Sequence, residues 1–495
     1  MDVTYKLCTI LLCSLLAGCN SGGETKKQPQ TINDNEKKLA GLIKQKGLTA
    51  TPMAGKMIPA NDTPMVVLGK RLFYSKSLSG SQDVACVTCH HPHLGGGDNL
   101  SLPIGVDAVV VSDTEDLLGP GRSHKADAEG FDGGPPVPRN APTTFNTAGW
   151  NTFLFHDGRV ERKEDDGIRN PDVSFGETDP LAGENLLHAQ ARFPVTSKEE
   201  MKGFAHNDKD NQEIREFLAQ RLGGYGAGNA AEPLPNPGYW LEKFRVAFEQ
   251  PTGSAEALIT EQNISLAIGE YQRSQVFVTT PWQKYVQGDT QAISDSAERG
   301  ALLFMQDIKD GGFGCASCHS GDFFTDEGFH NIAMPQLGRG KGDADGSGDF
   351  GRFRETQDES NKFAFRTPSL LNVEVTGPWG HSGAYTTLKD VIKHHLNPQD
   401  AVSNYDASQL SQAGVQNLDK LSANTQAALD HSNFALSNLK FTDQHVDDLV
   451  SFLKALTDPC TKDAACLEPW TLDNDDDPDP NGDQLKAIIA NPVAR

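Results

Sequence analysis

The sequence predicts a mainly α chain built as two similar halves with long ordered loops, and three observations carry that prediction. Apolar residues recur at helical spacing in several stretches, whereas alternating strand patterns are scarce. Glycine and proline are frequent enough to hold long segments, such as Gly95 through Pro138, in ordered loop rather than helix. A short motif, Cys-x-x-Cys-His, occurs twice, at Cys86, Cys89 and His90 and again at Cys315, Cys318 and His319. Related segments precede the two copies: Gly69-Lys70-Arg71-Leu72-Phe73 and Arg299-Gly300-Ala301-Leu302-Leu303-Phe304. Each is expected to be a helix that delivers the chain to its motif.

A Cys-x-x-Cys pair closed by His is the attachment pattern of covalent c-type haem, with two thioethers to the porphyrin and the His as proximal iron ligand. Zinc or a disulfide would use the same cysteines, but no second Cys-x-x-Cys lies close enough to complete either tetrahedral site. The halves are therefore expected to be two cytochrome c-like haem domains, split near residue 290. Three helices are expected in detail. Ser254–Ser274 carries Leu258, Ile259, Ile264, Leu266, Ala267 and Ile268 near a 3.6 period. Ser294–Met305 opens with a Ser cap and leads into the second motif. Asp443–Leu456 is amphipathic and ends at Asp458-Pro459.

The N-terminus sets the compartment. Lys6 precedes an apolar run, Leu7–Leu16, shorter than the roughly 20 residues a membrane span needs. It ends in Leu16-Ala17-Gly18-Cys19, a small-residue processing site that resembles a bacterial lipobox. Residues 1–19 are thus expected to be a signal peptide, with Cys19 lipidated in the mature periplasmic protein. Asn20 in place of an Asp leans the anchor towards the outer membrane. Residues 20–55 are expected to be a flexible tether, polar throughout its first part. The haem domains then cover 56–290 and 291–460, followed by an acidic tail over 461–495. Cys8 and Cys13 fall in the signal, Cys19 takes lipid and four cysteines bind haem, which leaves Cys460 and Cys466 to pair. A net charge of −23 argues against nucleic acid as a partner and for a basic or neutral one.

From Leu68 to Leu456 the chain resembles the bacterial di-haem cytochrome c peroxidase/MauG family. The similarity rests on LGKRLFYSKSLSG before the first motif, RNAPTTFN at Arg139–Asn146 and LFHDGR at Leu154–Arg159. It continues with FTDEGFHN at Phe324–Asn331, FRTPSLLNV at Phe365–Val373 and TGPWGHSGAYTTL at Thr376–Leu388. The Trp-containing tail after Cys460 looks closer to the MauG-like branch. The resemblance implies an exported oxidoreductase that reduces hydrogen peroxide at the first haem, with electrons from a protein donor relayed through the second. It equally implies, as a rival, oxidation of Trp or Tyr on a partner protein. A di-haem cytochrome that only transfers electrons is the rival of another class, and a haem-based sensor is the weakest.

Site residues follow from the same resemblance. Gln190, Pro194 and Glu200 reproduce the spacing of the family's peroxide pocket. Cleaving the O–O bond of peroxide needs a group that moves a proton from the inner to the outer oxygen, and a carboxylate in a restricted pocket can do so. Gln190 would orient the peroxide. Without the family spacing, Glu200 in Lys198-Glu199-Glu200 would read as a solvated surface charge. Family peroxidases carry a distal His soon after the first motif. Here His91 and His93 sit too close to His90, and His124 comes next, so an open first haem is expected. His156 stands where the family has its inter-haem Trp; it would relay electrons less readily but can bond to haem propionates. Trp150 is the nearby alternative, or simply a core aromatic.

At the second haem, alignment places His395 at the position of the family's sixth ligand, with His394 about 100° away on the helix. Met334 and His330 are the other candidates, the latter as a propionate contact. Asn140, Thr376 and Pro378 match the family's calcium ligands between the haems, and oxygen-only donors suit calcium. Acidic stretches at Asp343–Asp349 and Asp473–Asp483 also resemble calcium loops, although the second contains two prolines and lacks a bidentate Glu in register.

Overall fold

A computed structural model describes residues 34–110, 116–128, 134–344, 346–432, 438–472, 478–485 and 487–489. Cys19 and the expected signal peptide lie outside them. The framework helices are α1 (Asp34–Gln45), α2 (Pro64–Tyr74), α3 (Leu186–Ala191), α4 (Asn211–Gly223), α5 (Pro237–Ala247), α6 (Glu261–Ser274), α7 (Asp295–Met305), α8 (Leu388–Leu396) and α9 (Asp443–Lys454). Strands are few and short. Asp116–Leu118 pairs in parallel with Ala487–Ile489. Phe153–Leu154, Val160–Arg162 and Ile168–Arg169 form an antiparallel ribbon, and Phe329–His330 pairs with Phe365–Arg366. Among the described residues no helix is long and apolar enough to cross a membrane.

Among the described residues the two largest hydrophobic cores each have one Cys-x-x-Cys-His motif at their edge, and a smaller one packs the antiparallel ribbon against α3. The first gathers Leu72, Phe73, Ile214, Trp240, Phe244 and Tyr271, with Cys86 packed against it. The second gathers Trp282, Phe304, Val391, Leu449 and Phe452, with Cys315 packed against it. Each fully buried side chain of this size stabilises by about 1.5–3 kcal/mol.

The weak sequence repeat is a structural repeat. In the first core α2 crosses α6 at Gly69, where a Cβ would lie 1.9 Å from the Ala267 carbonyl oxygen. In the second α7 crosses α9 at Gly300, where a Cβ would lie 2.0 Å from the Asp448 carbonyl oxygen. Only glycine permits either approach. One helical turn on, Phe73 reaches the His90 ring at 6.5 Å and Phe304 reaches the His319 ring at 6.4 Å. The same pairs of helices therefore set the two motifs. Asn146 and Asn372 both donate from Nδ2 to the Phe277 carbonyl, at 3.0 and 2.8 Å, and so grip the segment that joins the two cores.

Capping explains the helix starts. Ser294 accepts from the Ala297 N–H, and Thr442 from the His445 N–H; losing such a cap costs about 1 kcal/mol. The helix expected over Ser254–Ser274 is interrupted. A short turn, Ala255–Leu258, ends at Ile259, and α6 restarts with Thr260 capping the Asn263 N–H.

Two terminal expectations need correction. Residues 34–55 are not a loose tether. α1 packs its Leu39, fully buried, into the second core together with Leu42, Ile43 and Leu48, and the N–H groups of Thr49, Ala50 and Thr51 bond to the Asp322 carboxylate. Nor is the tail a separate acidic appendage. The Cys460–Cys466 disulfide forms, and beyond it Leu485 is buried in the first core with Trp470 and Leu472 packed against that core. The Trp470 indole donates to Ser274, and its carbonyl accepts from the Tyr271 hydroxyl at 2.6 Å.

Candidate functional site

A cavity opens beside the first motif. Cys86, Cys89 and His90 line it on one side, with Phe73, Val84, Leu187, Met201 and Ile268 as apolar wall. The His90 Nδ1 is held by the Gly96 carbonyl at 3.1 Å, which leaves Nε2 for iron. Arg159, Lys341 and Arg366 also line the cavity, and the Nε of Arg366 is buried without a partner. An apolar wall, two cysteines, a presented imidazole and three cationic side chains fit a haem with two propionates.

Gln190, Pro194 and Glu200 all line this cavity, so the folded chain brings the three spaced residues to the same cavity as the motif. Asn185 caps α3, which carries Gln190, by accepting from the Leu187 and His188 N–H groups. Arg192 pins α3 to α6. It is 2% exposed, donates to Glu261 at 3.0 and 3.1 Å and bonds Asp179. Glu200 lies in a π-helical turn, Lys198–Lys202, of the kind that recurs at functional sites. Val106 N–H donates to the Glu199 carbonyl and Gly80 N–H to the Met201 carbonyl, which fixes that turn on both flanks. Burial pushes the Glu200 carboxyl above the usual range, while Arg159 and Lys341 pull it back. Burial and the neighbouring Arg159 likewise lower the Lys341 ammonium to about 8.

Among the described residues His156 is the one histidine besides His90 that lines the cavity; His91, His93 and His124 do not. The His156 Nε2 is bonded to the Asn140 carbonyl at 3.0 Å, and burial with Arg139 lowers the ring to about 4. A neutral imidazole donating at Nε2 is an acceptor at Nδ1. In that state it has no hydrogen to offer a propionate, unlike the expectation for this position. Trp150 also lines the cavity, with the Arg366 guanidinium 3.4 Å from its ring centroid and Phe323 edge-on at 5.3 Å. Phe323 packs on the second core, so Trp150 bridges the two halves.

At the second motif, His319 and His395 face each other with ring centroids 6.4 Å apart. Two imidazoles binding one metal from opposite sides, each nitrogen about 2 Å from it, put their centroids roughly 6 Å apart. The backbone holds both rings by Nδ1: His319 through the Phe324 carbonyl at 3.2 Å and His395 through the Val391 carbonyl at 2.7 Å. Both Nε2 atoms are thereby left for a metal. His395 keeps exposed surface, whereas its neighbour on the helix does not. His394 is fully buried and engaged at both nitrogens, with the Tyr385 hydroxyl and the Ile332 carbonyl, each at 2.8 Å. His330 is held by Asp326 at 2.8 Å, and Met334 is packed in the second core.

The backbone N–H of Asn140 donates to the His381 carbonyl, which ties it to the loop containing Thr376 and the cis Gly377–Pro378 bond. The Asn140 Nδ2 donates to the Leu100 carbonyl at 2.9 Å and the Ser101 carbonyl at 3.3 Å. The Asp343–Asp349 stretch differs from a calcium loop, since arginines hold its carboxylates. Arg139 binds Asp349 at 2.7 and 2.8 Å and Asp157 at 2.6 Å, and Arg354 pairs with Asp343. Burial would raise the Asp157 and Asp349 carboxyls, but Arg139 holds both well below the usual range.

The sequence did not point to Gln272. It is 5% exposed, lines the cavity and donates from Nε2 to the Gln190 Oε1 at 3.2 Å, so the Gln190 NH₂ is the end free to meet a ligand. Its signal was positional: Gln272 stands four residues after Ile268, on the buried face of α6.

Residues 63–291 match the family described as di-haem cytochrome c peroxidase. The methylamine utilization protein MauG of Methylorubrum extorquens is 29% identical over 350 residues, 70% of this chain and 71% of that protein. MauG of Methylophilus methylotrophus is 28% identical over 406 residues, 81% of this chain and 85% of that protein. The cytochrome c551 peroxidase of Pseudomonas aeruginosa is 28% identical over 334 residues, 67% and 71% of the two chains. The fold is similar to a MauG-like protein associated with microbial copper homeostasis, with a TM-score of 0.53 at 22% identity over 83% of this chain and 94% of that one. It is also similar to the diheme peroxidase BthA of Burkholderia thailandensis, with a TM-score of 0.50 at 20% identity over 82% and 88%. The matched family and relatives mark a di-haem peroxidase/MauG-like oxidoreductase. The family match lies in residues 63–291, and the chain as a whole is similar to MauG proteins and cytochrome c peroxidases.

Proposed function

We propose that the protein reduces hydrogen peroxide in the first cavity, with electrons delivered through the second motif. The observation that carries this is the convergence of Gln190, Pro194 and Glu200 on the cavity that His90 lines. Haem attached at Cys86 and Cys89 would supply an iron that accepts and releases electrons. The chain's residues do the rest. Glu200, as a carboxylate, takes the proton of the inner peroxide oxygen and returns it to the outer one, which leaves as water. Gln190, turned by Gln272, presents its NH₂ to the peroxide. Pro194, Leu187 and Met201 limit the space and exclude bulk water. Two electrons and two protons convert each peroxide to two waters. Holoprotein given a reduced small c-type cytochrome should consume peroxide with two electrons per molecule. Absence of peroxide consumption with any donor that reduces the second haem would defeat this reading.

Oxidation of Trp or Tyr on a partner protein is the second reading. It is favoured by His395, rather than a Met, facing His319, and by relatives named MauG. An electron-transfer cytochrome without peroxide chemistry is disfavoured by the open first cavity. The reading extends to an exported, periplasmic protein held at the outer membrane by lipid on Cys19, which the sequence pattern alone supports. It also extends to a calcium held by oxygen atoms of Asn140, Thr376 and Pro378, a donor set that suits calcium and that the sequence pattern alone supports. Chelation should slow peroxide-driven oxidation of the second haem, and added calcium should restore it. Active protein free of calcium by metal analysis would remove the ion from the account.

A further inference from the structure

The C-terminal segment carries acidic groups that neither motif uses. Asp483 is 6% exposed, and its Oδ2 accepts from the hydroxyl of Ser75 at 3.0 Å and from that of Ser77. Both serines are fully buried. The other carboxylate oxygen, Oδ1, is buried with no hydrogen-bond partner. Gln484, also 6% exposed, has both amide atoms buried and unpartnered. Asp479 adds a second carboxylate, which accepts from the N–H groups of Asp483 at 2.5 Å and Gln484 at 2.7 Å. Burial and this neighbour push the Asp483 carboxyl up to about 7. The nearby guanidinium of Arg221 does not neutralise the pair; it is engaged with the carbonyls of Ser77, Ser79 and Gly80 and with Glu232.

An unpartnered buried carboxylate oxygen therefore sits on a side chain held by two hydroxyls and next to a second carboxylate, all hard oxygen donors, and the following residue carries an unpartnered buried amide. We propose that Asp479, Asp483 and Gln484, with Ser75 and Ser77, bind a calcium-class divalent cation. Mixed carboxylate, amide and hydroxyl oxygens in irregular array suit calcium, whereas magnesium demands a near-ideal octahedron. The site is separate from Asn140, Thr376 and Pro378. Its effect is mechanical. Lys76 N–H donates to the Asp483 carbonyl at 2.7 Å and Leu485 N–H to the Tyr74 carbonyl at 2.8 Å, so the cation fastens the tail to the turn that follows α2. The tail starts at the end of the second core, and the cation locks it as a strap across both halves.

Holoprotein stripped of metal and returned to calcium chloride is compared with Asp483→Asn and, separately, Asp479→Asn at a half-buried position that tolerates the change. Wild type should hold one calcium equivalent more than either variant. Calcium should protect the 461–489 segment from limited proteolysis in wild type only, with the haem spectra of all three proteins alike. Equal calcium content and equal protection in wild type and Asp479→Asn would overturn the site, whether or not Asp483→Asn folds.

Discussion

Replacing Glu200 by Gln is expected to slow peroxide-driven haem oxidation by about 10²–10⁴-fold, the range for a lost proton-transfer group and equivalent to roughly 3–5 kcal/mol of barrier. Gln keeps the shape and the hydrogen-bonding end of the side chain but cannot carry the proton. The wild-type rate should fall as pH drops through the Glu200 titration, at a pH above the ordinary Glu value of about 4.3, because burial raises that carboxyl. The variant should lose this dependence. Stability runs the other way. A carboxyl whose folded pKa is raised stabilises fully below its unfolded value and loses that contribution as pH rises through the folded one. The variant should therefore be at least as stable as wild type at neutral pH, which separates lost chemistry from lost folding. An unchanged rate, followed by rapid mixing with peroxide, would remove Glu200 from the mechanism.

His395→Ala is expected to convert the second haem from low-spin to high-spin and open it to small ligands such as cyanide. The expectation rests on the 6.4 Å separation of the His319 and His395 rings and on the carbonyls that fix each Nδ1. His394→Gln should keep the low-spin signal, since His394 already has two hydrogen-bond partners and no free nitrogen. Its cost falls on stability instead, by about 1–3 kcal/mol for disturbing buried polar partners. If His395→Ala retains the low-spin signal, the sixth ligand lies elsewhere.

Much of the site was legible because its chemistry is written in spacing. The two Cys-x-x-Cys-His motifs, the Gln190–Glu200 interval and the His394-His395 pair each sit within a short window of sequence. Gln272, Arg366 and Lys341 were not legible, because they reach the same cavity from distant segments and each reads alone as an ordinary polar residue. The N-terminal arm was misjudged for a different reason. Its polar composition hid Leu39, Leu42 and Ile43 at helical spacing, and the second core supplies the partner surface that makes so short a helix stable. The tail was misjudged likewise, since acidity said nothing of Trp470 and Leu485, which the first core takes up.

The central claim is an open peroxide site on the first haem and a closed, bis-histidine second haem. Electron paramagnetic resonance of the oxidised holoprotein reads both at once. The account predicts one high-spin and one low-spin haem in equal amounts, the latter without a Met–iron charge-transfer band in the optical spectrum. Two low-spin haems would contradict it, and would return the protein to electron transfer alone.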